Sequence, residues 1–107
     1  MTVDEIKSRI AALADQHKNE SDDEFSYLYE LEAYELIIGY MADHQLTFGD
    51  YDIKGLHQGA EEYEFDCGEI FADMQLEVLN EQSSLDIHPD VRLLFEFHKK
   101  SFWPDTQ

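Results

Sequence analysis

The sequence predicts a single all-α domain that covers residues 1–107 and is arranged as a four-helix antiparallel bundle. Its 107 residues match the usual size of one domain and leave no room for two substantial cores. Apolar residues make up 43% of the chain, which is enough to bury a core despite the many charges. Four segments also carry apolar residues at helical spacing. No repeat or Gly/Ser/Pro-rich linker divides the chain.

The first predicted helix runs from residue 3 to about residue 18. Thr2 is placed to cap it, and the acidic residues Asp4 and Glu5 occupy its first turn, where they complement the helix dipole. The apolar positions that recur at helical spacing are Val3, Ile6, Ile10, Leu13 and Ala14.

The second predicted helix is the longest and runs from about residue 22 to residue 44. Ser21 and Glu24 have the spacing of a capping box, in which each side chain accepts a hydrogen bond from the other residue's backbone N–H. One stripe of the helix comprises Phe25, Leu28, Tyr29, Glu32, Leu36, Gly39 and Tyr40. Further apolar residues nearly encircle its second half, so we expect this helix to be central, with the others packed around it.

Residues 46–66 are the uncertain part of the chain. Gly49, Gly55 and Gly59 indicate turns, so residues 46–59 are predicted to be mostly loop. After them, Tyr63, Phe65 and Cys67 alternate with acidic residues as in a strand. A helix fits the following segment better, with Gly68 as its weak point and Ser83 and Ser84 at its end. The positions that support this helix are Tyr63, Cys67, Ile70, Phe71, Met74 and Val78.

The last predicted helix begins at the sequence His88-Pro89-Asp90. Pro89 falls in the first turn, where its missing N–H costs nothing, and Pro104 ends the helix. The apolar stripe comprises Val91, Leu94, Phe95, His98 and Phe102. Lys99 and Lys100 lie in the last turn, where they complement the helix dipole, and the pair Phe102-Trp103 is expected to close the core.

The charge of the chain indicates the kind of partner it binds. Its formal net charge is −18, from 25 acidic and 7 basic residues. Between Asn19 and Asp90 there are 20 carboxylates and one base, Lys54. A field of one sign attracts basic partners and repels nucleic acid and anionic membranes. We therefore expect a basic protein partner, with no direct binding to nucleic acid or membrane. The alternative is that the acidity serves solubility or a salty habitat.

Several classes of protein do not fit the sequence. Cys67 has no second cysteine to pair with, the N-terminus lacks a secretory signal pattern, and no stretch approaches the roughly 18 apolar residues of a membrane span. A cytoplasmic location is expected. No phosphate-binding Gly-rich loop, nucleophile elbow or Cys-x-x-Cys pair occurs, so the chain is not predicted to be an enzyme. Acidic neighbours favour a protonated core thiol at Cys67.

Neither a cofactor nor a metal ion is predicted. No histidine follows a glutamate at the Glu-x-x-His spacing of di-iron bundles. Asp50 and Asp52 resemble the start of a calcium loop, with Gly55 in its sixth place and Glu61 in its twelfth. Lys54, however, occupies the position where a third oxygen ligand belongs, and its ammonium group would repel the ion.

Two segments of the chain carry a resemblance to a known family. Residues 66–72 have the sequence Asp-Cys-Gly-Glu-Ile-Phe-Ala, and after an acidic stretch the predicted helix over residues 91–100 follows. Together they resemble the C-terminal half of the colicin D immunity protein family. The resemblance implies a small acidic helical inhibitor of a tRNA-cleaving toxin, which fills the basic RNA-binding cleft with carboxylates. The chain departs from the family in its longer N-terminal half, so no inhibitory residue is transferred.

The sequence therefore favours an immunity or inhibitor protein that neutralises a basic toxin nuclease. The alternatives are a DNA mimic that sequesters a DNA-binding or restriction protein, and a non-inhibitory acidic adaptor. We expect three tyrosines to be exposed, namely Tyr27, Tyr51 and Tyr63. Tyr51 and Tyr63 are candidate anchors for the partner, because interfaces favour tyrosine. The residues predicted to contact the partner are Asp50, Tyr51, Asp52, Glu61, Glu62, Tyr63, Glu64, Asp66, Glu69 and Asp73. The oligomeric state stays open.

Overall fold

The computed structural model describes residues 1–62, 64, 66–80 and 87–104, and these residues form five α-helices without a β-strand. The all-α prediction is confirmed, but the prediction of four helices is wrong because a fifth helix forms in the segment that was expected to be loop. The helices are α1 (Val3–Asn19), α2 (Asp23–Asp43), α3 (Ile53–Glu61), α4 (Asp66–Leu79) and α5 (Pro89–Phe102).

Helix α2 is the centre of the fold. It contacts each of the other four helices, and around it α1 touches α5, α5 touches α4, and α4 touches α3. In the part of the chain that the structure describes, α1 and α3 do not contact each other. The side chains of Ile37, Ile38 and Met41 are completely buried, as expected for a helix surrounded by its neighbours. The predicted central position is confirmed.

The first helix forms as predicted. The backbone N–H of Glu5 donates to Thr2 Oγ1 and that of Thr2 donates to Glu5 Oε1, each at 3.2 Å, so the two residues form a capping box. The hydrogen bond from the Thr2 N–H to the carboxylate, and then the Thr2 hydroxyl group, lower the pKa of the Glu5 carboxyl group. The buried face is the predicted apolar stripe, with Ile6 and Ile10 almost fully enclosed.

Helix α2 differs from its prediction in its cap and in its buried face. Asp22, and not Ser21, caps it, because Asp22 Oδ1 accepts hydrogen bonds from the backbone N–H groups of Glu24 and Phe25. The buried residues are Leu31, Ala33, Tyr34, Ile37, Ile38 and Met41. The stripe predicted from Phe25 to Tyr40 is instead exposed or half-buried, because the gap between α1 and α3 leaves part of this side of α2 uncovered.

Helix α3 corrects the loop prediction for residues 46–59. Asp52 caps it by accepting a hydrogen bond from the backbone N–H of Gly55 at 3.2 Å. Its buried side, which includes Ile53 and Leu56, packs on α2 and α4. Of the three glycines, only Gly49 marks a turn with a positive φ of 54°. Because residues 53–61 are helical, the spacing that resembled a calcium loop does not form one.

Helix α5 follows its prediction, whereas α4 forms but ends at Leu79, earlier than predicted. Helix α4 begins at Asp66, and Gly68 lies within it against the Tyr27 side chain of α2. Tyr63, Phe65, Ser83 and Ser84, on which parts of the α4 prediction rested, lie outside the described residues. Helix α5 has Pro89 in its first turn and Lys99 and Lys100 in its last turn. Phe102 is buried and Trp103 half-buried, so the pair closes the core as expected.

None of the helices in the described ranges combines the length and apolarity needed to cross a membrane.

Candidate functional site

The lysines and arginines of the chain are concentrated on two helices. Lys54 is the sole base on the middle helices, whereas the other bases, all on α1 and α5, are Lys7, Arg9, Lys18, Arg92, Lys99 and Lys100. Helices α1 and α5 pack together, and α3 and α4 pack together on another side of α2. From Asp50 to Asn80 the chain carries nine carboxylates against that one base. The fold therefore places six of the seven bases on α1 and α5 and leaves α3 and α4 with Lys54 as their single base.

An acidic part of the surface lies where α3 meets α4, and we call it the α3–α4 acidic face. It comprises the exposed residues Glu62, Glu64, Asp66, Glu69 and Asp73. All five belong to the contact set predicted from the sequence.

The backbone of the connection between α3 and α4 is held by hydrogen bonds. The Glu64 N–H donates to the carbonyl oxygen of Gly59 at 2.9 Å, and the Glu64 carbonyl accepts from the Cys67 N–H at 3.1 Å. Glu69 and Asp73 follow four residues apart, so they lie on one exposed side of α4. The acidic face is therefore built on helical backbone and a hydrogen-bonded connection.

Three further predicted contact residues lie at the other end of α3. Asp50, Tyr51 and Asp52 precede α3, and the nine-residue helix separates them from the acidic face by about 13 Å. The Asp52 carboxylate is engaged as the helix cap. Tyr51 is 36% exposed, and its ring packs edge-on against buried Phe48 at 5.5 Å. Tyr63 lies outside the described residues. Thus one predicted patch becomes two separate groups of residues.

The acidic face is not neutralised by the bases of its own chain. Within the described ranges, no aspartate or glutamate is buried, and no lysine or arginine forms an ion pair with the carboxylates of the acidic face. Arg9 instead pairs with Glu32 on α2, at 3.5 Å. Arg9 and Glu32 are both well exposed, and such a pair contributes little stability. The carboxylates of the α3–α4 acidic face are therefore available to an external cation.

A cleft adjoins the acidic face between α2, α4 and the end of α5, and we call it the α2–α4 cleft. Its volume is about 280 Å³, and its lining residues include Tyr27, Glu30, Tyr34, Gly68, Glu69 and Trp103. Trp103 Nε1 donates a hydrogen bond to Glu30 Oε1 at 3.0 Å. Burial nevertheless raises the pKa of the Glu30 carboxyl group. Aromatic rings beside carboxylates form a surface that favours a cation.

A second group of polar side chains joins α2 to α3 and was not predicted from the sequence. His57 Nε2 lies 2.9 Å from Glu35 Oε1 and 3.4 Å from Glu61 Oε1. The three residues border the α1–α3 groove, a cavity of about 240 Å³ over the uncovered side of α2, which Gly39 and Asp43 also line. Glu61, expected to contact the partner, thus turns toward α2.

The local signal for this cluster was the four-residue spacing of His57 and Glu61, which places both side chains on one side of a helix. This spacing brings two side chains together only in a helix, and the glycines of residues 46–59 predicted a loop instead. Glu35 comes from another helix, 22 positions away. Only the packing of α3 on α2 brings it close.

Cys67 is a buried residue of α4. The pKa of its thiol is raised by burial and then by the charges of Glu64 and Asp66. A protonated, enclosed thiol is a poor nucleophile. This agrees with the core position expected for Cys67.

Comparison with known protein families, with curated proteins and with solved structures finds no match to this chain.

Proposed function

We propose that this protein is an immunity-type inhibitor that binds a basic nuclease domain of a bacterial toxin and blocks its nucleic-acid-binding cleft. The observation that carries the proposal is the α3–α4 acidic face, whose five carboxylates are exposed and form no ion pair with the described lysines and arginines. The resemblance of residues 66–72 to the colicin D immunity proteins, which are small acidic inhibitors, supports the same proposal.

The partner's chemistry follows from what a nuclease must do. Its cleft holds a phosphate backbone, so it presents lysine and arginine side chains at spacings suited to successive negative charges. An acidic surface competes for these side chains, and the opposite charges steer the two proteins together. Because the acidic face is built on α4 and on a hydrogen-bonded connection, little backbone conformational entropy is lost when it binds.

The α2–α4 cleft supplies an anchor beside this surface. Glu69 belongs to both the cleft and the acidic face, so a partner that covers the face can insert one arginine or lysine into the cleft, which Tyr27 and Trp103 line. The inserted cation would lie near the Glu30 carboxylate, whose negative charge is disfavoured by burial in the free protein. Aromatic and arginine groups in enclosed pockets are the usual centres of binding energy in interfaces.

The proposal is tested by capturing partners from the native host at low salt and eluting them with a salt step. Two tagged variants with equal numbers of neutralised carboxylates are compared with the wild type. The test variant changes the acidic face, and its substitutions are Glu64→Gln, Asp66→Asn, Glu69→Gln and Asp73→Asn. The control variant changes other exposed acids, and its substitutions are Asp4→Asn, Asp15→Asn, Glu24→Gln and Glu96→Gln. Each set contains two first-turn acids, so the expected effects on the helices are similar.

We expect the wild type and the control variant to retain a basic nuclease that salt elutes, and the test variant to lose it. Equal retention by the test variant would contradict the proposed surface. Elution of a DNA-binding or restriction protein would favour the DNA-mimic alternative. If no partner elutes with salt, the acidity serves solubility.

A further inference from the structure

We propose that Glu35, His57 and Glu61 form a binding site for a divalent transition-metal ion, with zinc as the best fit. The site would join α2 to α3 across the bottom of the α1–α3 groove. The inference goes beyond the proposed function and does not rest on it, because these three residues lie outside the α3–α4 acidic face.

The spacing of the donor atoms fits such an ion. Zinc binds imidazole nitrogen and carboxylate oxygen at about 2.0–2.2 Å, so neighbouring ligands around it are about 3.0–3.5 Å apart. His57 Nε2 is 2.9 Å from the Glu35 oxygen and 3.4 Å from the Glu61 oxygen. All three donor atoms lie within 4.8 Å of one another. A small rotation of one carboxylate would bring the set to ligand distances.

The exposure of one side chain leaves room for this adjustment. The side chains of Glu35 and His57 are 23% and 24% exposed, whereas that of Glu61 is 58% exposed. Glu35 and His57 therefore form a fixed pair held by the packing of two helices, and Glu61 is free to close on the ion.

Gly39 allows the imidazole to occupy this place. A Cβ atom at position 39 would lie 3.0 Å from His57 Nε2, closer than ordinary van der Waals contact. The missing side chain lets His57 lie against α2 with its nitrogen directed at the two carboxylates. Asp43, which lines the same groove, adds negative charge that attracts a cation.

The donor set selects the class of ion. Magnesium and calcium prefer oxygen ligands throughout, whereas zinc and its neighbours in the periodic table accept imidazole readily. Three protein ligands leave a coordination position for water, so zinc would remain accessible from the groove. An ion held between helices α2 and α3 would also stabilise the folded chain, because the unfolded chain does not assemble the three ligands.

The experiment is a calorimetric titration of the chelator-treated protein with zinc chloride, and separately with magnesium chloride, at physiological salt. We expect one zinc ion per chain with a dissociation constant below about 100 µM, a higher Tm with zinc, and much weaker binding of magnesium. The substitutions His57→Gln, Glu35→Gln and Glu61→Gln should each weaken zinc binding at least tenfold, in line with the loss of a ligand.

Two matched controls separate the site from the general acidity of the surface. Glu62→Gln removes the carboxylate next to Glu61, and His44→Gln removes an exposed imidazole at the end of α2; both should leave zinc affinity unchanged. If the His57 variant does not fold, Glu61→Gln carries the test because its side chain is exposed. Absence of saturable zinc binding, equal binding after loss of His57 or Glu61, or equal affinity for magnesium would each overturn the proposal.

Discussion

His98 is a residue whose chemistry is set by its place in the core. Its side chain is completely buried, and its ring stacks on Tyr34 at 4.0 Å and on Phe102 at 4.6 Å. Burial, with a smaller contribution from the charge of His17, lowers the pKa of His98 to about 3. The imidazole is therefore neutral at pH 7 and acts as an aromatic spacer between helices α2 and α5.

This residue predicts how stability depends on pH. The unfolded chain protonates His98 below its ordinary pKa of 6.5, whereas the folded chain does so only near 3, so the residue's contribution is complete above pH 6.5 and declines as the pH falls. Relative to His98→Phe, the wild type should lose about 2 kcal/mol of unfolding free energy between pH 7 and pH 5. Urea denaturation of both proteins at the two pH values measures this difference. Parallel pH curves would contradict it.

Single residues also show where sequence reasoning succeeds. Thr2 was predicted correctly as the cap of α1, and the structure adds that Glu5 completes a capping box with it. At the start of α2, however, Ser21 and Asp22 are both good caps, and the choice depends on where the chain leaves α1. The cluster of Glu35, His57 and Glu61 depends on contact between helices, so local spacing alone did not reveal it.

At the scale of elements, α3 illustrates why glycines mislead a sequence analysis. Gly55 and Gly59 were interpreted as turn residues, yet both lie within a helix. A Cβ atom at position 59 would lie 2.6 Å from Cys67 Sγ, so glycine is required there by the close approach of α3 and α4. Glycine in a turn and glycine at a helix contact look alike until the neighbouring helix is placed.

The substitution Gly59→Ala tests this explanation. The added methyl group should push against the Cys67 sulfur and lower the unfolding free energy by about 1–2 kcal/mol, although alanine favours a helix intrinsically. In the double variant with Cys67→Ala the clash with sulfur is removed, so the two substitutions should cost less together than the sum of their separate effects. Denaturant titration of the four proteins gives the coupling free energy. Simple additivity would show that helix contact does not explain Gly59.

The helical state of α3 also decides the shape of the acidic surface. As a loop, residues 46–59 could have brought Asp50 and Asp52 next to Glu62. As a helix they separate the two ends, and Asp52 is engaged at the cap. The sequence alone identifies the acidic segment, but its division into two groups required the structure.

At the scale of the whole molecule, the fold turns an uneven sequence into an uneven surface. The packing of α1 on α5 gathers six of the seven bases, and the packing of α3 on α4 gathers acids with Lys54 as the single base among them. This segregation could be anticipated from the order of charges along the chain. Which helices would become neighbours could not, because that depends on how α3 completes the packing around α2.

The most direct measurement of the central claim is competition between this protein and RNA for the basic nuclease domain identified by capture. Labelled RNA bound to a catalytically inactive form of that domain is titrated with the wild type at several salt concentrations, and the loss of fluorescence anisotropy is followed. We predict that the protein displaces the RNA, that its affinity falls steeply with added salt, and that the acidic-face variant displaces poorly while the control variant matches the wild type. Simultaneous binding of RNA and protein, or an affinity that neither salt nor the acidic-face substitutions change, would contradict the account.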